Sequence, residues 1–266
     1  MKAKVHAMNL DMPGRTALIT GGSKGIGLAI AKAFAAAGAH VAMVARDQAD
    51  LDAALAAVRE VAEDRKTVAL SADIRSAEGC AMAHTQAVEA LGPIDVLVNN
   101  AGTSRRAPFA DITDAQWQED LDLKLFAAIR LARAAMLDMR ARRWGRIINV
   151  LNTGAKAPPG GGAPTAVSRA AGMALTKVLA GEGAPDNVLV NALLVGRIES
   201  DQWVKRAAAA GKELQAFYDE MGQIVPMGRV GTAQEFANMA LFLASDAGSY
   251  VTGTAINVDG GMCPVV

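Results

Sequence analysis

Thr20-Gly21-Gly22-Ser23-Lys24-Gly25-Ile26-Gly27 lies between a short apolar run, Arg15–Thr20, and an Ala-rich run with helical spacing, Ile26–Ala37. Glycines at a strand-to-helix junction permit a tight turn, bring the backbone close to a pyrophosphate, and let the helix pack closely on the strand. The helix N-terminus then offers free N–H groups and a partial positive charge to phosphate oxygens. The spacing is Gly-x-x-x-Gly-x-Gly rather than the more general Gly-x-Gly-x-x-Gly. It predicts a phosphate-cradling turn formed by Gly21, Ser23, Lys24, Gly25, Ile26 and Gly27.

The same alternation continues outward from this turn. Ala39–Val44, Thr67–Ser71, Ile94–Val98, Arg146–Val150, Val188–Leu194 and Ala255–Val258 read as further strands, and Gln48–Glu63, Ala77–Leu91, Asp114–Arg142, Thr165–Gly181 and Thr232–Ser245 as helices. A regular β-α-β-α order predicts an α/β chain: a single doubly wound Rossmann-type domain over residues 1–266, with about seven parallel strands and helices on both faces. Two stretches break the rhythm. Asn152–Pro164 is a Gly/Pro loop, and Ile198–Met227 has helical patches, Ala207–Ala210 and Leu214–Met221, but no strand, which suits a lid over a substrate site.

Composition narrows the function classes. Twenty-seven Lys+Arg balance 27 Asp+Glu among 266 residues, and aromatics make up only 4%, so neither a field for nucleic acid nor a base-stacking platform is expected. Cys80 and Cys263 lie far apart without a ligand-like spacing, so no disulfide framework and no metal site is expected. No apolar stretch has the length of a membrane span, and Met1–Gly14 lacks the apolar centre of a signal peptide, so the expectation is a cytoplasmic protein.

Several motifs in order carry a family resemblance along essentially the whole chain: Thr20–Gly27, Asp73-Ile74, Asn99-Asn100-Ala101-Gly102, Asn191 with Gly196, and Val251-Thr252-Gly253 through Asp259-Gly260-Gly261. In these the chain resembles the short-chain dehydrogenases/reductases. The resemblance implies that Asp73 contacts adenine, that Asn99–Gly102 lines the cofactor, and that Ile198 and Ser200 face the nicotinamide carboxamide. A carboxylate at the end of the second strand would repel a 2′-phosphate, but this region reads Val44-Ala45-Arg46-Asp47. Arg46, with Lys24 as a second cation, therefore points to NADP(H). The alternative for Arg46 is a surface pair with Asp47 or Asp50.

The catalytic positions differ from those the resemblance implies, a Tyr-x-x-x-Lys pair with a preceding serine and asparagine. Aligning Ala163–Ala171 with the tyrosine segment puts Thr165 at the tyrosine and Arg169 at the lysine; Asn152 then stands for the serine and Lys124 for the asparagine. An aliphatic hydroxyl is a weaker acid than a phenol, and an arginine does not relay protons near neutral pH. Tyr218 in the lid is the candidate for a relocated phenol, while Tyr250 reads as structural; His6, His40 and His84 are near no motif. Lys124 is either a titrating group or a solvated helix residue. If Lys124 and Arg169 both face the cleft, the small-molecule substrate is expected to be anionic. Three functions stay open: an NADP(H)-dependent oxidoreductase, a nucleotide-binding protein without turnover, and a non-redox lyase or hydratase. The apolar faces of the long helices and the C-terminal Met262–Val266 point to a homotetramer or dimer.

Overall fold

The computed structural model describes residues 8–105 and 107–266; the tail bearing Lys2, Lys4 and His6 lies outside the described residues. Seven strands form one sheet: β1 (Thr16–Thr20), β2 (His40–Ala45), β3 (Thr67–Ser71), β4 (Val96–Asn99), β5 (Gly145–Asn152), β6 (Val188–Val195) and β7 (Ala255–Val258). The order is β3-β2-β1-β4-β5-β6-β7, and every pairing is parallel, with Thr16 opposite His40 and Ala17 opposite Val96. The order reverses between β1 and β4, the point where an open α/β sheet leaves a crevice beyond its carboxyl ends.

Alternate side chains of the central strands enter different layers, as the two-residue period of a strand requires. Ala17 and Ile19 pack with Ile30 and Phe34 of α1 (Gly25–Ala36) and Phe236 and Leu243 of α9 (Ala233–Ala244). Leu18 packs on the other face with Cys80 of α3 (Ala77–Leu91) and Leu131 and Met139 of α5 (Ala127–Ala141). With both faces covered, β1 is buried at every position, which accounts for the consecutive apolar residues Ala17-Leu18-Ile19 at its centre.

The expected helix Asp114–Arg142 is interrupted. A capping box between Thr113 and Gln116 starts α4 (Asp114–Leu121), a π-helical turn spans Asp122–Phe126, and α5 follows. A π turn keeps the helical path while rotating the side chains that follow it, and such turns are frequent at functional sites. Helix α2 (Gln48–Arg59) is shorter than expected and α6 (Thr165–Gly183) is slightly longer. The 198–227 stretch contains α7 (Asp201–Ala209) and α8 (Leu214–Gly222). Among the described residues no helix is long and apolar enough to cross a membrane, and no cluster of His, Cys, Asp and Glu could hold a metal ion.

Candidate active site

The carboxyl ends of β1 and β4 are tied together by one side chain. Asn100 donates from Nδ2 to the carbonyls of Thr20 (3.0 Å) and Gly21 (3.1 Å), while Thr20 Oγ1 accepts from the N–H groups of Asn100 and Ala101, each at 3.0 Å. The turn is tight enough to require glycine: a Cβ on Gly27 would stand 2.1 Å from the Gly21 carbonyl oxygen. Gly25 has a φ of +52°, a left-handed conformation that other residues adopt at a cost.

Two cavities adjoin the turn. One, of ≈ 720 Å³, is lined by Gly21, Lys24, Gly25, Ile26 and Gly27 on one side and by Asn152, Thr165, Arg169, Gly196, Ile198 and Ser200 on the others. The second, of ≈ 420 Å³, has walls that include Ser23, Arg46, Asp73, Ile74 and, from α4, Asp120. Gly21, Ala101 and Gly102 border both, so the two lie along one groove over the sheet. Such volumes suit a dinucleotide and a small substrate.

At the second cavity Arg46 is exposed, and among the described residues its guanidinium has no ion pair, neither with Asp47 nor with Asp50. Lys24, the second cation expected here, lines the larger cavity, and its ammonium pairs with Asp50 at 2.8 Å. Asp73 is gripped by Arg75, whose Nε lies 2.9 and 3.0 Å from the two carboxylate oxygens. The Arg75 guanidinium holds the Asp73 carboxyl below the usual aspartate range. Asn99 also departs from expectation. Its Nδ2 donates within the sheet to Asn149 Oδ1 at 2.9 Å, and it lines neither cavity; Asn100 takes its place at the groove.

At the larger cavity the π turn carries Lys124 inward. Its side chain is 0% exposed and borders neither cavity; it lies behind Thr165, to whose Oγ1 its Nζ donates at 2.8 Å. Nζ also pairs with the Asp120 carboxylate one turn earlier, and Ser168 Oγ donates to the other Asp120 oxygen at 2.6 Å. Thr165 Oγ1 donates to the Arg105 carbonyl at 2.8 Å and accepts from the Arg105 N–H at 3.1 Å. Burial, together with the nearby Arg169 charge, pushes Lys124 down to about 8, against the opposing pull of Asp120. Burial also lowers Arg169, to about 10, leaving it charged at neutral pH. Its Nη1 donates to the Val150 carbonyl at 2.8 Å, and its Nη2 occupies the space that a Cβ on Gly102 would enter.

The geometry alters the picture of two cations facing one void. Lys124 is compensated by Asp120 behind the wall, and Arg169 alone of the two reaches the cleft. Asn152 lines the cleft with a buried Oδ1 that has no partner among the described residues. Tyr218 is not among the lining residues. The start of α7 is tied to the segment after β4 by the Ser104 N–H, which donates to Gln202 Oε1 at 3.1 Å. Asp120, Ser168, Arg75 and Gln202 escaped the sequence reading; the Asp120–Lys124 spacing of four was the available signal, but such a pair also fits a solvated helix face.

A family model described as Enoyl-(Acyl carrier protein) reductase matches residues 21–263. The 3-oxoacyl-[acyl-carrier-protein] reductase FabG of Aquifex aeolicus is 34% identical over 257 residues, covering 96% of this chain and 100% of its own. Among solved structures, the L-sorbose reductase of Gluconobacter frateurii, complexed with NADPH and L-sorbose, superposes with a TM-score of 0.92 at 34% identity, covering 97% of this chain and 100% of that one. An NADPH-bound short chain oxidoreductase from Pseudomonas aeruginosa PAO1, described as containing an atypical catalytic center, gives 0.89 at 37% identity, covering 96% and 99%. With a matching family model across nearly the whole chain, and a sheet order and glycine turn that agree with it, the protein belongs to the short-chain dehydrogenase/reductase family.

Proposed function

We propose that the chain is an NADP(H)-dependent oxidoreductase of small carbonyl or alcohol substrates, in which Thr165 backed by Lys124 replaces the tyrosine-lysine pair as the proton-handling group. One observation carries this reading: Thr165 lines the same cleft as the glycine turn, and its hydroxyl receives the Lys124 hydrogen bond at 2.8 Å. The NADPH-bound neighbours, one of them with an atypical catalytic center, support it. The whole chain acts as one dinucleotide-binding and catalytic unit with residues 198–227 as its lid.

The residues fit the cofactor. The glycine turn, too tight for a Cβ at Gly27, leaves backbone N–H groups for the pyrophosphate, and unpaired Arg46 would hold a 2′-phosphate. Ala72–Ile74 would border adenine, and Arg169, Ile198 and Ser200 the nicotinamide half. When bound, NADPH supplies the hydride that reduces a carbonyl carbon.

The chain's own groups handle the proton. Once the Thr165 O–H turns from the Arg105 carbonyl to the substrate oxygen, Lys124 Nζ and the Arg105 N–H both still donate to Oγ1, so negative charge left there by a departing proton is stabilised, and the hydroxyl is a stronger acid than in water. Asn152, which lines the cleft, orients the substrate oxygen by donating to it from Nδ2. Arg169 holds cofactor hydroxyls and passes no proton. The test is loss of NADPH absorbance with L-sorbose and ethyl acetoacetate, with Thr165→Val as the control. Loss of a general acid predicts a rate lower by ~10²–10⁴-fold with NADPH binding unchanged. Turnover in Thr165→Val equal to the parent would overturn the assignment.

A further inference from the structure

Lys124 is sealed from solvent, and its Nζ has two partners among the described residues, one on each side. Thr165 opens on the larger cavity and Asp120 on the smaller. Asp120 is therefore the described side chain placed to replace a proton that Lys124 gives to Thr165. We propose that Asp120 is the solvent-side member of a buried relay, Asp120–Lys124–Thr165, which carries the reaction's proton between the second cavity and the substrate cleft. The inference rests on the reductase reading above and assigns to Asp120 a positioning and proton-passing role.

The arrangement suits that task. Asp120 and Lys124 are four residues apart at the end of α4 and in the π turn, so both point to the same side. Ser168 fixes one carboxylate oxygen at 2.6 Å, leaving the other to face Nζ. A buried carboxylate is expensive unless paired, and here the pairing group is the amine that must be recharged. In the reducing direction the Thr165 O–H turns from the Arg105 carbonyl to the substrate oxygen, and the O–H bond breaks as the substrate O–H forms. A Lys124 N–H bond then breaks to restore the threonine. A proton from water in the second cavity adds to the Asp120 oxygen and passes to Nζ. One solvent proton and one hydride from NADPH convert the carbonyl to the alcohol, and the carboxylate and ammonium are regenerated. In the oxidising direction the same bonds carry the proton outward.

The charged groups facing Lys124 are Asp120 from α4, Arg169 from α6 and Arg105 from the segment after β4; the two arginines lower its proton affinity and Asp120 raises it. Removing the Asp120 charge must therefore make Lys124 give up its proton at lower pH. The experiment compares the parent with Asp120→Asn by the pH profile of kcat for ethyl acetoacetate reduction, and by ¹⁵N-lysine NMR of Lys124 Nζ in the NADPH complex, assigned with Lys124→Met. The alkaline limb of kcat and the Nζ titration should both move down by ~1–3 units, the size of a lost neighbouring charge. Ser168→Ala keeps the charge but releases the carboxylate; it should move both readouts the same way by less, and it decides the matter if Asp120→Asn does not fold. A residue needed for folding alone would lower kcat without moving either. Turnover with both readouts unmoved overturns the relay and leaves the reductase reading standing, whereas no turnover by the parent overturns both.

Discussion

Lys124 and Thr165 are 41 residues apart in sequence, yet the ammonium of one donates to the hydroxyl of the other at 2.8 Å inside the protein. A lysine lowered to about 8 is charged at neutral pH and neutral in mild alkali. As the charged form supplies the proton for reduction, the reduction kcat should fall as pH rises through about 8, while the reverse oxidation should rise over the same range. Initial rates in both directions across that range check this. Parallel profiles for the two directions would remove Lys124 from the proton path.

The Arg46 guanidinium at the second cavity, without an ion pair among the described residues, predicts the cofactor preference. Arg46→Asp should weaken NADPH by ~1.5–3 kcal/mol, the worth of a hydrogen bond to a charged group, and leave NADH unaffected. Titration calorimetry with both cofactors measures it. Lys24→Met should matter less, because Lys24 is already engaged by Asp50.

The strands were readable because both faces of a parallel sheet are buried, so each strand is an apolar run such as Ala17-Leu18-Ile19. The break at Asp122–Phe126 was not readable, since a π turn preserves the apolar spacing of the helices that flank it. Lys124 was found by alignment, but its environment depends on Asp120 and Ser168 being buried together, and an Asp-x-x-x-Lys spacing says nothing of burial. Asn99 was placed at the groove because its motif was read as a unit. Strand alternation turns Asn99 into the sheet toward Asn149 and leaves Asn100 to brace the glycine turn.

The buried Asp120–Lys124 pair predicts non-additive stability. Lys124→Met strands a buried carboxylate and should cost ~3–5 kcal/mol. Asp120→Asn should cost less, because the amine can escape by losing its proton. The double variant should cost less than the sum, with a coupling of ~0.5–3 kcal/mol in urea denaturation. A sign follows for pH as well. Between about 8 and the ordinary 10.5 the unfolded chain binds a proton that the folded chain has lost, so this contribution to stability rises with pH across that window and is absent from Lys124→Met.

Apolar side chains left outside predict association. Leu137 on α5 is 72% exposed, and Val167 and Val178 on α6 are 52% and 57% exposed, eleven residues apart and so on one helical face. We expect a dimer or tetramer, with a light-scattering mass at a multiple of 27.5 kDa at micromolar concentration. Val167→Glu with Val178→Glu should lower that mass; a parent running at 27.5 kDa would refute the expectation.

The last prediction concerns substrate charge. With Lys124 closed off behind Thr165 and balanced by Asp120, and Arg169 assigned to cofactor hydroxyls, we expect any selection for an anionic substrate to come from the 198–227 stretch. Arg206 of α7 lines the cleft over the Trp203 ring, 4.7 Å from its centroid, whereas its neighbour Lys205 is held by Asp201 at 2.7 Å. A solvent-exposed cation of this kind discriminates modestly, by ~0.2–1 kcal/mol, so Arg206→Met should raise KM for acetoacetate by a few fold and leave KM for its ethyl ester unchanged. Lys124→Met should lower kcat for both alike, because it serves the proton and not the carboxylate. The two variants thus separate along KM and kcat. A KM effect confined to acetoacetate in Lys124→Met, with Arg206→Met silent, would return anion recognition to the floor of the cleft and require Lys124 to turn outward when substrate binds.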